Sequence, residues 1–481
     1  MPYFEKNTIS SVARERVILS CILVVLFMIY STWACNLPMD MSPDEHMRIK
    51  VPLYILEHGC LPLGWDTEIR DALWGTSYGF SVYGSSLFAL PFMTFAKITI
   101  GTEASLVIAA RISGCVLACG SIICIYEIAR ELGFTFSRRL IAVIFFALLP
   151  QFVFLTAYFN SEQLELFSIS LVVLCLLKGC KNNWHFSDCA KLGVALGILV
   201  LSYYFAYGAI LASIVYYYGT VHGKRRCGVI VEPAWKSYLV KPLVVFLAAS
   251  VIAGWFFVRN FLLYSGDFIG MSTSSMTSER YATEGFKPSQ RITAASMGLS
   301  PLSLFDGSYN GSNWAIGVLD SFVGNFGYLT IYVGNTTRNI ILGILLLGVV
   351  FAVVALLRFP KKNQLFVVSL MSVLFIVVTP IALSVYYSWA SDYQAQGRYL
   401  ISFWPIISIV AAYGWDAASS CLSDVCCRRG VLYPEEPRAQ VCCLVRKIAA
   451  LVPYVAVAVY IAVFIRVFYN LIVPYCFGSV L

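Results

Sequence analysis

Apolar runs long enough to cross a bilayer recur along the 481 residues, and they restrict what this chain can fold into more than any other feature. About 20 apolar residues span the hydrocarbon core. In lipid a helix satisfies its own backbone hydrogen bonds, while a lipid-exposed irregular segment cannot. Hydrophobic residues make up 59% of the sequence and charged residues only 12%, against about 25% charged in a soluble protein. The expectation is an all-α polytopic membrane protein. The first run, Val17 to Cys35, follows Lys6, Arg14 and Arg16, so its start is expected in the cytoplasm. It is too long for a cleaved signal peptide, and no small-residue cleavage site follows Cys35-Asn36-Leu37-Pro38.

Charge sidedness predicts the topology. Most of the 34 Lys and Arg fall at the N-terminus or in clusters around Arg130, Lys181, Arg225, Lys361 and Arg428 to Lys447. Those clusters mark the inner side, and the net charge of +8 reflects that bias rather than nucleic-acid binding. Two apolar segments, Phe80–Ile100 and Ser105–Ile128, separate the first outer loop from the inner Arg130 cluster. Parity allows one crossing there, and Phe80–Ile100, interrupted by Gly84, Pro91 and Lys97, is expected to lie at the outer leaflet. Further spans are expected at Leu140–Tyr158, Leu164–Leu177, the short pair Leu192–Tyr204 and Ala206–Thr220, Pro242–Val258, Asn339–Leu357, Leu365–Tyr386, Tyr399–Ala418 and Ile448–Asn470. The result is about 11 transmembrane helices plus outer juxtamembrane helices in one domain, 1–481, with the N-terminus inside and the C-terminus outside. Residues 36–104 form the first outer loop, 259–338 a long outer loop and 419–447 a cytoplasmic loop. Most of the sixteen cysteines lie in apolar runs or inner loops, where reduced thiols are expected. The pairs Cys426-Cys427 and Cys442-Cys443 are poorly spaced for zinc.

The first outer loop carries Ser42-Pro43-Asp44-Glu45-His46-Met47-Arg48. It reads as a helix start, with Ser42 as N-cap, Pro43 in the first position and Glu45 completing a capping box. Met47, Val51, Tyr54 and Ile55 then share one face of an interfacial helix ending at His58-Gly59. Asp44 is not needed for the cap and is the stronger candidate for chemistry; Arg48 could pair with it one turn on. Glu162 lies at another outer boundary, as do Arg111, Arg259 and Arg398. Outer arginines run against the positive-inside bias and suit phosphate recognition. Arg111 is expected merely to snorkel. Arg398, between Tyr399 and Gly397, which would allow a ligand close approach, is expected to meet a ligand. A divalent cation held by Asp44 and Glu162, with Glu45 and His46 nearby, is a further possibility in the pattern.

No phosphate-binding glycine loop or dinucleotide fingerprint occurs in the inner loops. An activated sugar on the outer face would have to arrive on a lipid. The order of motifs resembles the GT-C superfamily of integral membrane glycosyltransferases, and bacterial relatives of the aminoarabinose and protein O-mannosyl transferases in particular. The likeness rests on Pro43-Asp44-Glu45-His46, Arg111-Ile112-Ser113, Ala129 to Gly133, Ala147-Leu148-Leu149-Pro150, Trp255 to Asn260 with Tyr264-Ser265-Gly266-Asp267, Ser321 to Gly327, and Gln396-Gly397-Arg398-Tyr399. The resemblance implies a plasma-membrane enzyme moving a sugar from a polyprenyl-phosphate donor to a glycan, lipid or protein acceptor of the cell envelope. It implies Asp44 as base, with Glu45 beside it, and Glu162, Arg398, Arg259, Tyr399 and His46 around donor or substrate. A lysine that the superfamily often carries between the short helices is replaced by Tyr203-Tyr204. A flippase for lipid-linked sugars, or a polysaccharide polymerase or ligase, would use the same outer arginines. A flippase is expected to show midplane charges and inverted repeats instead.

Overall fold

The structure is a computed structural model that describes the backbone of residues 2–358, 364–432 and 436–474, and side chains over 12–39, 41–357, 365–421 and 447–474. In chain order the helices are α1 (Pro2–Asn36), α2 (Glu45–Arg48), α3 (Lys50–His58), α4 (Gly84–Thr99), α5 (Glu103–Glu131), α6 (Phe136–Ala147), α7 (Pro150–Thr156), α8 (Glu162–Lys181), α9 (Phe186–Val200), α10 (Gly208–Arg226), α11 (Lys241–Leu263), α12 (Met271–Tyr281) and α13 (Trp314–Gly324). A two-residue hairpin of β1 (Asn325–Phe326) and β2 (Ile331–Tyr332) follows, then α14 (Asn335–Arg358), α15 (Gln364–Ala390), α16 (Trp404–Leu432) and α17 (Glu436–Val467).

Eight described helices are long and apolar enough to cross a membrane, or nine if one bent pair is a single span. The chain is a multi-pass membrane protein. The eleven spans expected from sequence include the short pair, which forms α9 and α10, of 15 and 19 residues. The segment Phe80–Ile100 becomes α4, a 16-residue helix packed against α3 and α5. Much of the segment 419–447 is helical, in α16 and α17, and the side chains of Cys426, Cys427, Cys442 and Cys443 lie outside the described residues. Helix α11 leaves Phe246, Val251 and Leu262 exposed, as a lipid-facing surface requires.

The expected straight span Leu140–Tyr158 is broken. Helices α6 and α7 meet at 68° across Leu148-Leu149. Pro150 lacks an N–H and drives Leu149 out of the helical region, to φ −64, ψ 122. The break orphans the last carbonyls of α6. Three buried aromatic residues satisfy them: Tyr460 donates to Phe145 O (3.1 Å), Trp404 Nε1 to Phe146 O (3.0 Å) and Tyr30 to Ala147 O (2.8 Å). These donors come from α17, α16 and α1, so the bend is pinned at the centre of the largest apolar core. Elsewhere α14 and α16 meet backbone to backbone. A Cβ on Gly414 would lie 1.7 Å from the Gly348 carbonyl oxygen, a contact of the kind small residues permit between membrane helices.

Candidate active site

Asp44 and Glu45 have different surroundings. Glu45 is fully buried, and its carboxylate accepts from Arg111 Nε (2.8 Å), Arg111 Nη2 (2.6 Å) and the Phe159 N–H (2.7 Å). Arg111 Nη1 donates to the carbonyls of Ala34 (2.9 Å) and Leu37 (2.6 Å). The expected capping box is therefore absent, because the Glu45 side chain turns inward to a guanidinium. The snorkelling expected of Arg111 is overturned for the same reason: it is 3% exposed and ties the end of α1 to α2 and the α7–α8 connection.

Asp44, not Ser42, precedes the first turn of α2, and its backbone is left-handed at φ 59, ψ 1. L-residues seldom adopt that region, and such strain gathers at functional sites. The one-third-exposed carboxylate accepts from Arg398 Nη2 at 2.8 Å. Burial opposes its charge, but Arg398 and then Arg48 outweigh burial and hold the carboxyl below its ordinary range. Arg48 does not form the expected one-turn pair with Asp44. Its Nη1 donates to Ser161 Oγ (2.8 Å) and lies 3.9 Å from Glu162, while its guanidinium faces the rings of Tyr78 (4.5 Å) and Tyr203 (5.8 Å). Tyr203, one of the two residues in the expected lysine position, thus lies over an arginine.

Glu162 is fully buried and also lies 3.9 Å from Arg398 Nε. Two arginines therefore bracket it. Arg398 Nη2 contacts the Tyr399 hydroxyl (3.1 Å), which in turn donates to Gln394, and Phe205 stacks on the Tyr399 ring at 5.0 Å. The close approach expected of Gly397 is to protein. A Cβ there would stand 2.2 Å from Phe322 N of α13.

Two other residues singled out by sequence stand apart from this group. Arg259 donates to Pro62 O (2.5 Å) and Asn260 (3.4 Å) and faces Tyr83 and Tyr264. His46 is exposed, 3.7 Å from Asp71. The cation expected between Asp44 and Glu162 does not fit this arrangement, since the Arg398 guanidinium already stands between the two carboxylates. Among the described residues, the convergent set of metal-type ligands is Glu57, His58 and Glu68, all exposed.

A small hollow, with free space for about one water, lies beside Asp44, lined by Pro43, Gln151, Phe154, Tyr158, Leu329 and Arg398 among others. Arg398 Nη1 and Nε are buried with no hydrogen-bond partner, as is the Tyr158 hydroxyl. A buried unsatisfied polar atom costs about 1–3 kcal/mol, so these atoms call for a water or a ligand group as partner. Arg48, Tyr158 and Gln151 were not among the residues chosen from sequence. Arg48 carried a signal, being an outer arginine four residues from Asp44. Tyr158 and Gln151 carried none.

Comparison with known proteins bears on the fold. Residues 89–259 match the family model described as dolichyl-phosphate-mannose-protein mannosyltransferase. No curated protein sequence matches the chain. The archaeal oligosaccharyltransferase AglB from Archaeoglobus fulgidus, in complex with an inhibitory peptide and a dolichol-phosphate, superposes with TM-score 0.53 at 14% identity, over 94% of this chain and 56% of that one. The chain has the GT-C fold. The apo form of the A. fulgidus enzyme gives TM-score 0.52 at 13% identity, over 92% and 56%. The chain thus spans about half the length of these archaeal GT-C structures. ArnT from Cupriavidus metallidurans, bound to undecaprenyl phosphate, gives 0.49 at 12% identity, over 96% and 74%. The matched family and these neighbours are GT-C glycosyltransferases. Within this fold the Asp-Glu pair divides into an enclosed structural partner, Glu45, and an accessible carboxylate, Asp44.

Proposed function

We propose that the chain is a polyprenyl-phosphate-sugar-dependent glycosyltransferase of the plasma membrane, with its active site on the outer face and its N-terminus in the cytoplasm. The observation that carries this reading is the Asp44–Arg398 contact at the edge of a hollow, with Nη1 of that guanidinium free of any hydrogen bond. The GT-C fold and a dolichol-phosphate in one of its members support a lipid-phosphate donor.

An acceptor hydroxyl oxygen attacks the anomeric carbon as the bond from that carbon to the phosphate oxygen breaks. The hydroxyl proton passes to Asp44 and the polyprenyl phosphate leaves, so a single displacement inverts the anomeric configuration. Asp44 paired with Arg398 is a weak base, because its carboxyl is held low. An incoming phosphate competes for Arg398. As the guanidinium turns toward the phosphate, its pull on the Asp44 carboxyl weakens while burial persists, and the basicity of Asp44 rises. Arg398, with Arg48 behind it, then neutralises charge on the leaving oxygen. The acceptor is a hydroxyl of an envelope glycan, lipid or protein.

The test is Asp44→Asn in the purified, vesicle-reconstituted chain, reading undecaprenyl phosphate released from undecaprenyl-phosphate sugars in the presence of envelope acceptors. The expected loss is about 10²–10⁴-fold. Undiminished release by a variant with unchanged thermal unfolding would refute Asp44 as base. Sugar lipid that changes leaflet without release would show a flippase instead.

A further inference from the structure

We infer that Asp392 and Gln394 are positioning residues, which act through the Tyr399 hydroxyl to fix the Arg398 guanidinium beside Asp44. The inference rests on the transferase reading and goes past it in naming what sets the direction of that guanidinium.

A chain of side-chain hydrogen bonds runs from the loop after α15 to the proposed base. Gln394 Nε2 donates to Asp392 Oδ2 at 2.7 Å. Gln394 Oε1 accepts from the Tyr399 hydroxyl. The Tyr399 oxygen accepts from Arg398 Nη2 at 3.1 Å, and the same nitrogen donates to Asp44 Oδ2 at 2.8 Å. Phe205, stacked on the Tyr399 ring at 5.0 Å and 21°, holds the plane of the phenol.

The two ends of the chain dictate its direction. A carboxylate accepts and cannot donate, while a guanidinium donates and cannot accept. Asp392 therefore draws the NH2 side of the Gln394 amide and turns the amide oxygen to Tyr399. The Tyr399 proton goes to that oxygen, which leaves a phenolic lone pair for Arg398. With the amide reversed, the Tyr399 proton would be driven toward Arg398, which has nothing to accept it. Two acceptors on Nη2 fix the planar guanidinium in tilt as well as in place. Its Nη1, free of any hydrogen bond, is then presented in one direction.

The local backbone does not need these side chains. The Gln394 N–H donates to Ser388 Oγ (3.3 Å), and that hydroxyl donates to the Gln394 carbonyl (3.1 Å). Trp314 Nε1 fixes Ser388 in turn at 3.0 Å. Ser321 Oγ accepts from the Gly397 N–H at 2.5 Å. Two serines thus hold the main chain from Gln394 to Gly397, and the side chains of Asp392 and Gln394 are left to direct Tyr399 and Arg398.

The experiment reads two quantities on the full chain in detergent: binding of undecaprenyl phosphate by native mass spectrometry, and the infrared titration of the Asp44 carboxylate with Asp44→Asn as reference. Gln394→Ala is expected to weaken binding about 3- to 10-fold, the worth of one hydrogen bond. It should also move the Asp44 band to higher pH, because a less firmly held Arg398 opposes burial less. Asp392→Ala should act in the same directions. The double variant should be no weaker than Gln394→Ala alone, since Asp392 acts through Gln394. Additive losses would overturn the chain, as would an unmoved Asp44 band in Gln394→Ala with a wild-type unfolding midpoint. Tyr399→Phe keeps the stacked ring and serves as a second variant. It should move the band the same way, and Asp392→Ala added to it should change nothing further; a further change would overturn the inference. Wild type that binds no undecaprenyl phosphate would overturn the transferase reading, while the Asp44 band still decides the positioning.

Discussion

Glu45 and Arg111 form a fully enclosed, bidentate ion pair 66 residues apart in sequence, and that pair anchors the loop that presents Asp44. Removing one partner of such a pair leaves a charge buried without its counter-ion, which costs about 3–5 kcal/mol. Glu45→Gln is therefore expected to lower thermal stability sharply, by an amount in that range if the Arg111 charge finds no new partner. Activity should fall in step with the folded fraction. The check compares unfolding midpoint with activity per folded molecule in detergent. A variant of unchanged stability with abolished transfer would give Glu45 a chemical role instead.

The Asp44 carboxyl titrates under two opposed influences, burial upward and Arg398 with Arg48 downward, and the arginines prevail. For a carboxyl held low in the folded state, the stabilising contribution is complete above the unfolded value of about 3.9 and is lost as pH falls through the lower folded value. In the free protein Asp44 should thus stay more ionised than an ordinary aspartate as pH falls through the carboxylate range. Arg398→Gln removes the larger of the two opposing cations. The carboxyl should then titrate higher, because with Arg398 gone burial is opposed by Arg48. Infrared titration of the carboxylate band, with Asp44→Asn as the difference reference, reads this without catalysis. An unmoved band would mean that Arg398 does not govern the charge of Asp44.

Three aromatic donors hold the broken end of α6, and Trp404 lies among them at the base of the active-site segment. Trp404→Phe keeps most of the buried ring and deletes the bond to Phe146 O. An unsatisfied carbonyl in this core should cost about 1–3 kcal/mol. Loosening the break should also disturb Gln151 and Tyr158, which follow it. The expected result is a lower unfolding midpoint together with weaker donor binding. If only stability falls, the break is structural and does not position the hollow.

Hydropathy made the helical membrane class legible, and charge placement drew attention to Asp44, Glu162 and Arg398, which the fold brings together. Their partners were less legible. Asp44 and Arg398 are 354 residues apart, and a pairing over that distance leaves no local pattern. Glu45 matched a capping box because sequence shows spacing and not the direction in which a side chain turns. The bend before Pro150 was hidden by the continuous apolarity of Leu140 to Tyr158. A hydropathy window registers apolar residues on both sides of a proline and misses the turn between them. Arg259 looked equivalent to Arg398 by sidedness, yet it faces Tyr83 and Tyr264. Sidedness places an arginine at one membrane surface and leaves its lateral position open.

Gly397 illustrates the same point and carries a prediction. Its neighbourhood to Arg398 suggested room for a ligand, whereas the space beside its Cα is filled by α13. A Cβ would meet Phe322 N at 2.2 Å, Phe322 Cα at 2.4 Å and Val318 O at 2.5 Å. All three are backbone atoms, so no side-chain rotation relieves the clash. The Gly397 N–H also donates to Ser321 Oγ at 2.5 Å, which locks the two segments in register. Gly397→Ala must push the Gly397–Phe403 segment away from α13, at about 1–3 kcal/mol or more for overpacking. The displaced residue is next to Arg398, so the Asp44–Arg398 contact should lengthen. Donor binding is then expected to weaken more than the loss of stability accounts for. Arg398→Lys serves as the comparison, because it keeps the backbone register and changes only the cation. If Gly397→Ala binds donor like wild type at a temperature where both are folded, the register with α13 does not set the position of Arg398.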